Sequence, residues 1–295
     1  MFEWLDYAFM TRAFVATTVL SFSMTPIGVF LVLRRLSLAG EAMAHAIMPG
    51  IVIAFVVGGL TVGSMIIGGL TAGITVAALA SLLARVTIIR EDASLASLYL
   101  IALAVGIFIL SAAGSAVPLK SFLFGSILGI DDESIALLAA IAMITLVSFT
   151  LMFRPLLIET TDPSFHESQS KRPGFVAHWF MLLVVLNLLG SFKALGTLMA
   201  VGMMVLPATA ARYWVETMTG YVVVTFLFTL LSAWVGLIVS FYLPGVPSGP
   251  AIVLIAGIFF FFSVMFAPQG LYLSTYLRNV RCALAARIHP YRSET

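Results

Sequence analysis

Of 295 residues, 61% are apolar and 9% charged, against roughly 25% charged in an ordinary soluble domain, which excludes a soluble enzyme. A net charge of +2 without a clustered basic stripe argues against a nucleic-acid surface. The apolar residues, about 180, suffice for about nine membrane helices of roughly 20 residues each, and the mean hydropathy of +1.12 agrees.

The single cysteine, Cys282, forms no intramolecular disulfide, so the fold rests on helix packing in lipid. Met1 to Arg12 carries Glu3, Asp6 and Arg12 and lacks the basic start and small-residue cleavage site of a secretory signal, so the first apolar run reads as a permanent span. Apolar runs between charges place spans over 13–33, 42–58, 63–84, 94–114, 133–153, 175–192, 194–211, 220–243 and 250–268. Continuous stretches such as Phe108-Ile109-Leu110 and Phe259 to Phe262 do not alternate, which selects helices over barrel strands. The expected class is an all-α polytopic membrane protein with nine transmembrane helices. Eight is the alternative, turning on the first span and on the stretch from Phe175 to Arg212, where Lys193 separates two short runs. The whole chain, 1–295, reads as one domain.

Alternate loops collect 12 of the 15 Lys and Arg on one side: Arg34 and Arg35, Arg85 and Arg90, Arg154, Lys171 and Arg172, Arg212, and four arginines after Leu277. The positive-inside rule makes that side cytoplasmic and, for nine spans, puts the N-terminus outside and the C-terminus inside. Outside, Ser115 to Glu133 mixes Phe122-Leu123-Phe124-Gly125 with the acidic cluster Asp131-Asp132-Glu133, and Gly245 to Pro250 forms a Pro/Gly turn. On the cytoplasmic side, 154–174 is the longest polar segment.

The second span opens with Ser37-Leu38-Ala39-Gly40-Glu41-Ala42-Met43-Ala44-His45. Glu41 and His45 are four apart and share a helix face. A carboxylate and an imidazole suit a divalent cation such as Zn²⁺ or Mn²⁺, and two ligands are few enough to let a transported ion leave. The alternative is an orientation anchor at the lipid–water interface, Glu41 pairing with His45 or Arg35. In the 154–174 segment, Asp162 with Pro163, or Ser164 with Glu167, starts a short capped helix carrying the exposed Phe165 beside His166. Such a helix docks into another protein's groove or lies on the membrane surface. In the seventh span Pro207 has no N–H for the Met203 carbonyl, marking a pathway break or a kink in a packed helix. Asp131, Asp132, Met203 and Pro207 complete the residues considered for the pathway or its gate.

No phosphate-binding loop, nucleophile elbow or His-Glu-x-x-His pair occurs, so the chain offers no ATPase or hydrolase chemistry of its own. No internal repeat of the kind seen in secondary transporters stands out.

The run Leu33 to Gly50 resembles the signature of the zinc/manganese-type ABC importer permeases, Arg-x-Ser-Leu-x-Gly-Asp-Ala-x-Ser-His-x-x-x-Pro-Gly. Phe122 to Gly125, Arg90 to Ala93, the Asp162-Pro163 loop and Gly196 to Arg212 resemble further blocks of that family. The resemblance implies a vitamin-B12-importer-like permease of a bacterial inner membrane. It implies a second copy of itself, two ATP-hydrolysing subunits below, and a periplasmic or lipid-anchored metal-binding protein above. It makes Glu41 and His45 the metal station and the helix near 162–170, with Asp162, Pro163, Ser164, Phe165, His166 and Glu167, the coupling element. It implies no permanently bound cofactor, only transported metal and ATP on the partner. Two positions depart from the pattern: Glu41 stands for the usual Asp, and Ala44 for the Ser before the histidine. The reading is a metal importer permease with zinc as cargo, manganese or iron as the alternative cargo, and an ATP-independent cation transporter as the alternative class.

Overall fold

A computed structural model describes residues 7–58, 62–112, 127–162, 174–243 and 246–271. The described residues form ten helices: α1 (Ala8–Leu33), α2 (Ser37–Ala46), α3 (Met48–Gly58), α4 (Val62–Val86), α5 (Glu91–Ala112), α6 (Asp132–Thr161), α7 (Phe175–Leu195), α8 (Thr197–Ala211), α9 (Met218–Tyr242) and α10 (Ser248–Phe266). A short 3-10 turn, Ile127–Gly129, precedes α6, and the buried Ile127 and Ile130 seat this end of the acidic loop against the bundle.

Two ion pairs fix the direction of the first and fifth crossings. Arg12 meets Asp132 in a two-pronged contact, Nε–Oδ1 and Nη2–Oδ2 both at 2.9 Å, and Arg34 meets Glu159 at 2.7 Å. The two N-terminal ends are therefore together, as are the two C-terminal ends, so α1 and α6 run parallel, as an odd number of spans apiece requires. Pairs between α6 and α7 run in opposite order: Phe149 with Phe180, Thr145 with Asn187. Trp234 bonds to Thr18, while Tyr7 lies against Phe241, so α9 is also antiparallel to α1. Because α7 and α9 both leave the basic face, the chain must return between them, and α8 is that crossing. Its 15 residues span about 22 Å, short of the roughly 30 Å apolar core. The turn before it is at Gly196, φ 76°, and not at Lys193, which belongs to the last turn of α7. α10 ends beside the start of α9, where the Gln269 N–H donates to the Tyr213 carbonyl and Trp214 donates to Ser263. With α2 and α3 forming one crossing, the described residues make nine.

The most enclosed crossings are α1 and α7; α4 and α5 show most of their surface outward. α1 packs on α6, α8 and α9, and α2 on α5. Buried hydroxyls of α1 return to their own helix, Thr17, Ser21 and Thr25 each donating to the carbonyl four residues back, whereas Ser94 of α5 donates to the Ala80 carbonyl of α4 and Tyr221 of α9 to the Ala208 carbonyl of α8. Asn187, which donates to Thr145, is a polar tie between α6 and α7.

The 154–174 segment is shorter as a loop than the charges indicate. α6 runs on through Pro155 to Thr161, and Asp162 closes it, its N–H bonded to the Ile158 carbonyl. The helix keeps Glu159 because Arg34, at the end of α1, neutralises it. The Arg12–Asp132 contact is exposed, 46% and 76%. Arg12→Ala is therefore expected to cost no more than about 1 kcal/mol, read as a small thermal-midpoint shift in detergent that vanishes as salt is added.

Candidate functional site

The site begins with the way α1 stops. Arg35 takes a left-handed conformation, φ 59°. Its N–H donates to the Val32 carbonyl and the Leu36 N–H to that of Leu31. This is a complete Schellman turn with arginine where glycine is usual, clamped by the burial of Leu31 and Leu36. The chain re-enters a helix at Ser37, so α2 starts five residues before the expected span. Glu41 lies about 6 Å and His45 about 12 Å along α2 from Ser37, at about 1.5 Å per residue.

α2 is a single short helix of ten residues that gives way at Ile47 to α3. Pro49 explains the break, since it has no N–H for the carbonyl of His45. α5 presses on this point: a Cβ on Gly106 would lie 3.1 Å from the Pro49 nitrogen. The histidine thus lies in the last turn of a helix of nearly three turns, flanked by Ala42, Ala44 and Ala46, all buried.

Glu41 is exposed and half-buried His45 lies one turn deeper. The His45 imidazole stacks on Tyr99 of α5, ring centroids 6.0 Å apart and planes 28° apart. Its Nδ1 is buried without a hydrogen-bond partner among the described residues. A cavity of about 290 Å³ opens on the basic face between α2 and α5, lined by Arg35, Ser37, Glu41, Asp92 and Tyr99 among others. Among the described residues Glu41 forms no ion pair with Arg35 or His45. No group of three or more His, Cys, Asp or Glu able to hold a metal occurs among the described residues. α2 thus carries one carboxylate and one imidazole on a single face, and the Asp92 carboxylate stands across the cavity from Glu41.

Sequence reasoning missed Asp92 and Tyr99. Asp92, Leu95, Ala96 and Tyr99 recur at helical spacing and form one face of α5, all lining the cavity. That periodicity is visible in the sequence, but nothing in it says that α2 is the neighbour.

The remaining residues considered for the pathway lie elsewhere. Asp131 caps α6, accepting from the Ser134 N–H at 3.2 Å, and Asp132 is held by Arg12. Met203 and Pro207 are buried in α8, where Met199, Met203 and Met204 belong to the apolar core. Asp162 ends α6, while Pro163, Ser164, Phe165, His166 and Glu167 lie outside the described residues.

Known proteins share this architecture. The manganese transport system membrane protein MntC of Listeria monocytogenes is 30% identical over 272 residues, covering 92% of this chain and 95% of its own. The manganese import system permease protein ScaB of Streptococcus parasanguinis is 26% identical over 265 residues, 90% of this chain and 92% of that one. The solved structure of PsaBC from Streptococcus pneumoniae in complex with Fab superposes with a TM-score of 0.80 at 27% identity, over 93% of this chain and 99% of that chain. The profile of the ABC 3 transport family matches residues 6–267, from before the first helix to the end of the last, and the chain belongs to that family, the metal-importer permeases its signature motif resembles.

Proposed function

We propose that this chain is the membrane-spanning permease of an ATP-driven importer whose cargo is Mn²⁺. The observation that carries the reading is the Glu41–His45 pair on one face of α2, with Glu41 at the wall of a cavity that adds the Asp92 carboxylate and His45 one turn deeper against Tyr99. Carboxylate and water are hard donors that suit Mn²⁺, with a single imidazole as the borderline ligand. Relatives named for manganese transport support the same cargo, so manganese replaces zinc as the first reading. The sparse ligand set fits a station that an ion occupies and leaves.

The basic face is cytoplasmic by the positive-inside rule, and α10 ends on it. The loop after Asp162 is the coupling element, and it docks an ATP-hydrolysing partner, since the chain has no phosphate loop. A second copy of this chain and an external metal-binding protein complete the importer. Closure of the ATPases pushes on the end of α6 and switches access to Glu41 and His45 from one face to the other.

The test is uptake of radioactive manganese, with zinc as competitor, by vesicles holding the reconstituted complex. ATP-dependent uptake is expected in the wild type. His45→Ala and Glu41→Gln should each lower it by more than the roughly 10- to 100-fold that loss of an outer-shell partner costs, with assembly unchanged. Uptake that persists without ATP under an ion gradient would sink the importer reading, and normal transport by His45→Ala would remove the site.

A further inference from the structure

A histidine that carries a metal is ordinarily oriented by a hydrogen bond to its second ring nitrogen. His45 has no such bond at Nδ1, which is buried without a partner among the described residues. Its neighbours on the helix offer no polar side chain: Ala42, Met43, Ala44 and Ala46 are apolar, and the hydroxyl of the family pattern is replaced by Ala44. Among the described residues the ring contact on the imidazole comes from another helix, the stack on Tyr99 at 6.0 Å. Tyr99 is half-buried, packed against the core and also a wall of the cavity beside Glu41.

We propose that Tyr99 is a positioning residue for metal transfer, its ring face setting the plane of the His45 imidazole where a hydrogen bond would otherwise do so. The proposal rests on the metal-station reading of Glu41 and His45. The ring and not the hydroxyl carries the effect, because a stack fixes the plane of an imidazole without engaging either ring nitrogen. Leu95, buried on the same face of α5, separates this role from general packing between α2 and α5.

The test compares Tyr99→Phe, Tyr99→Met and Leu95→Ala with His45→Ala in the assembled importer. The readouts are the KM and maximal rate of Mn²⁺ uptake, and nitrogen modulation of the Mn²⁺ electron-spin-echo signal, which reports imidazole ligation directly. Tyr99→Met, which fills the volume without a ring, should raise KM about tenfold or more, as loss of an outer-shell partner does. It should leave the maximal rate within about twofold and weaken the nitrogen modulation. Tyr99→Phe and Leu95→Ala should retain both signatures. Tyr99→Leu serves where Tyr99→Met does not assemble. Failure of both to assemble while Tyr99→Phe does so would overturn the positioning role in favour of packing, as would an unchanged KM and modulation in Tyr99→Met. Equal damage from Tyr99→Phe would move the role to the hydroxyl. If His45→Ala itself keeps uptake and modulation, the metal-station reading fails first, and the two failures are told apart.

Discussion

Arg34→Met is expected to destabilise the protein by about 3–5 kcal/mol, because it leaves the Glu159 carboxylate buried without its counter-charge. The side chains are 9% and 15% exposed and 2.7 Å apart, and the guanidinium lies 5.2 Å from the centre of the Phe180 ring. The contact thus gathers the ends of α1 and α6 and the start of α7 at one point. Arg34→Lys keeps the charge but loses the planar group that stacks on Phe180, so it should fall between wild type and Arg34→Met. The double variant Arg34→Met/Glu159→Leu should recover most of the loss, since an apolar pair in place of a buried ion pair is often neutral. Thermal unfolding in detergent checks the series. A single variant as stable as wild type would mean that water reaches Glu159 and that the pair is a surface contact. Arg34 also caps α1 directly before the left-handed Arg35, so the pair anchors the turn from which α2 departs.

This ion pair also explains where the sequence was hard to read. Nine crossings are legible because each is a long apolar run, and in lipid a helix satisfies its own backbone. The break at Ile47 is marked by Pro49, but the Schellman turn is concealed because arginine occupies the place of glycine. Charges at Arg154 and Glu159 look like loop, yet they are helical. The tolerance of Glu159 depends on a partner 125 positions away in the chain, which no local pattern encodes. Glu41 and His45 are legible for the opposite reason, being four residues apart on one helix. Tyr99 and Asp92 reach the same cavity from α5, and that pairing is a tertiary fact. The acidic cluster at Asp131 and Asp132 stands out by charge alone, and capping and Arg12 account for both residues.

The contact between α1 and α8 makes the strongest packing prediction. A Cβ on Gly28 would lie 1.9 Å from the Met204 carbonyl oxygen and 3.0 Å from its carbon. Both are backbone atoms, so no rotamer change relieves the clash and α8 itself must move. Overpacking ordinarily costs about 1–3 kcal/mol, and Gly28→Ala should reach or exceed the top of that range. α8 is poorly placed to yield: it is only 15 residues long, lies between α1, α9 and α10, and already lacks the bond that Pro207 cannot make to Met203. Displacement of Met204 also reaches the proposed metal station, because its sulfur stands 4.0 Å from where a Cβ on Gly40 would be, one residue before Glu41. Gly28→Ala is therefore expected to lose both thermal stability and manganese uptake. Gly257 of α10 is the control, with nothing within 4 Å of an added Cβ, so Gly257→Ala should cost nothing and gain up to about 1 kcal/mol from helix propensity. Equal behaviour of the two variants in thermal unfolding and uptake would show that α1 and α8 do not meet backbone to backbone, and the route from α1 through Met204 to Glu41 would be lost with that contact.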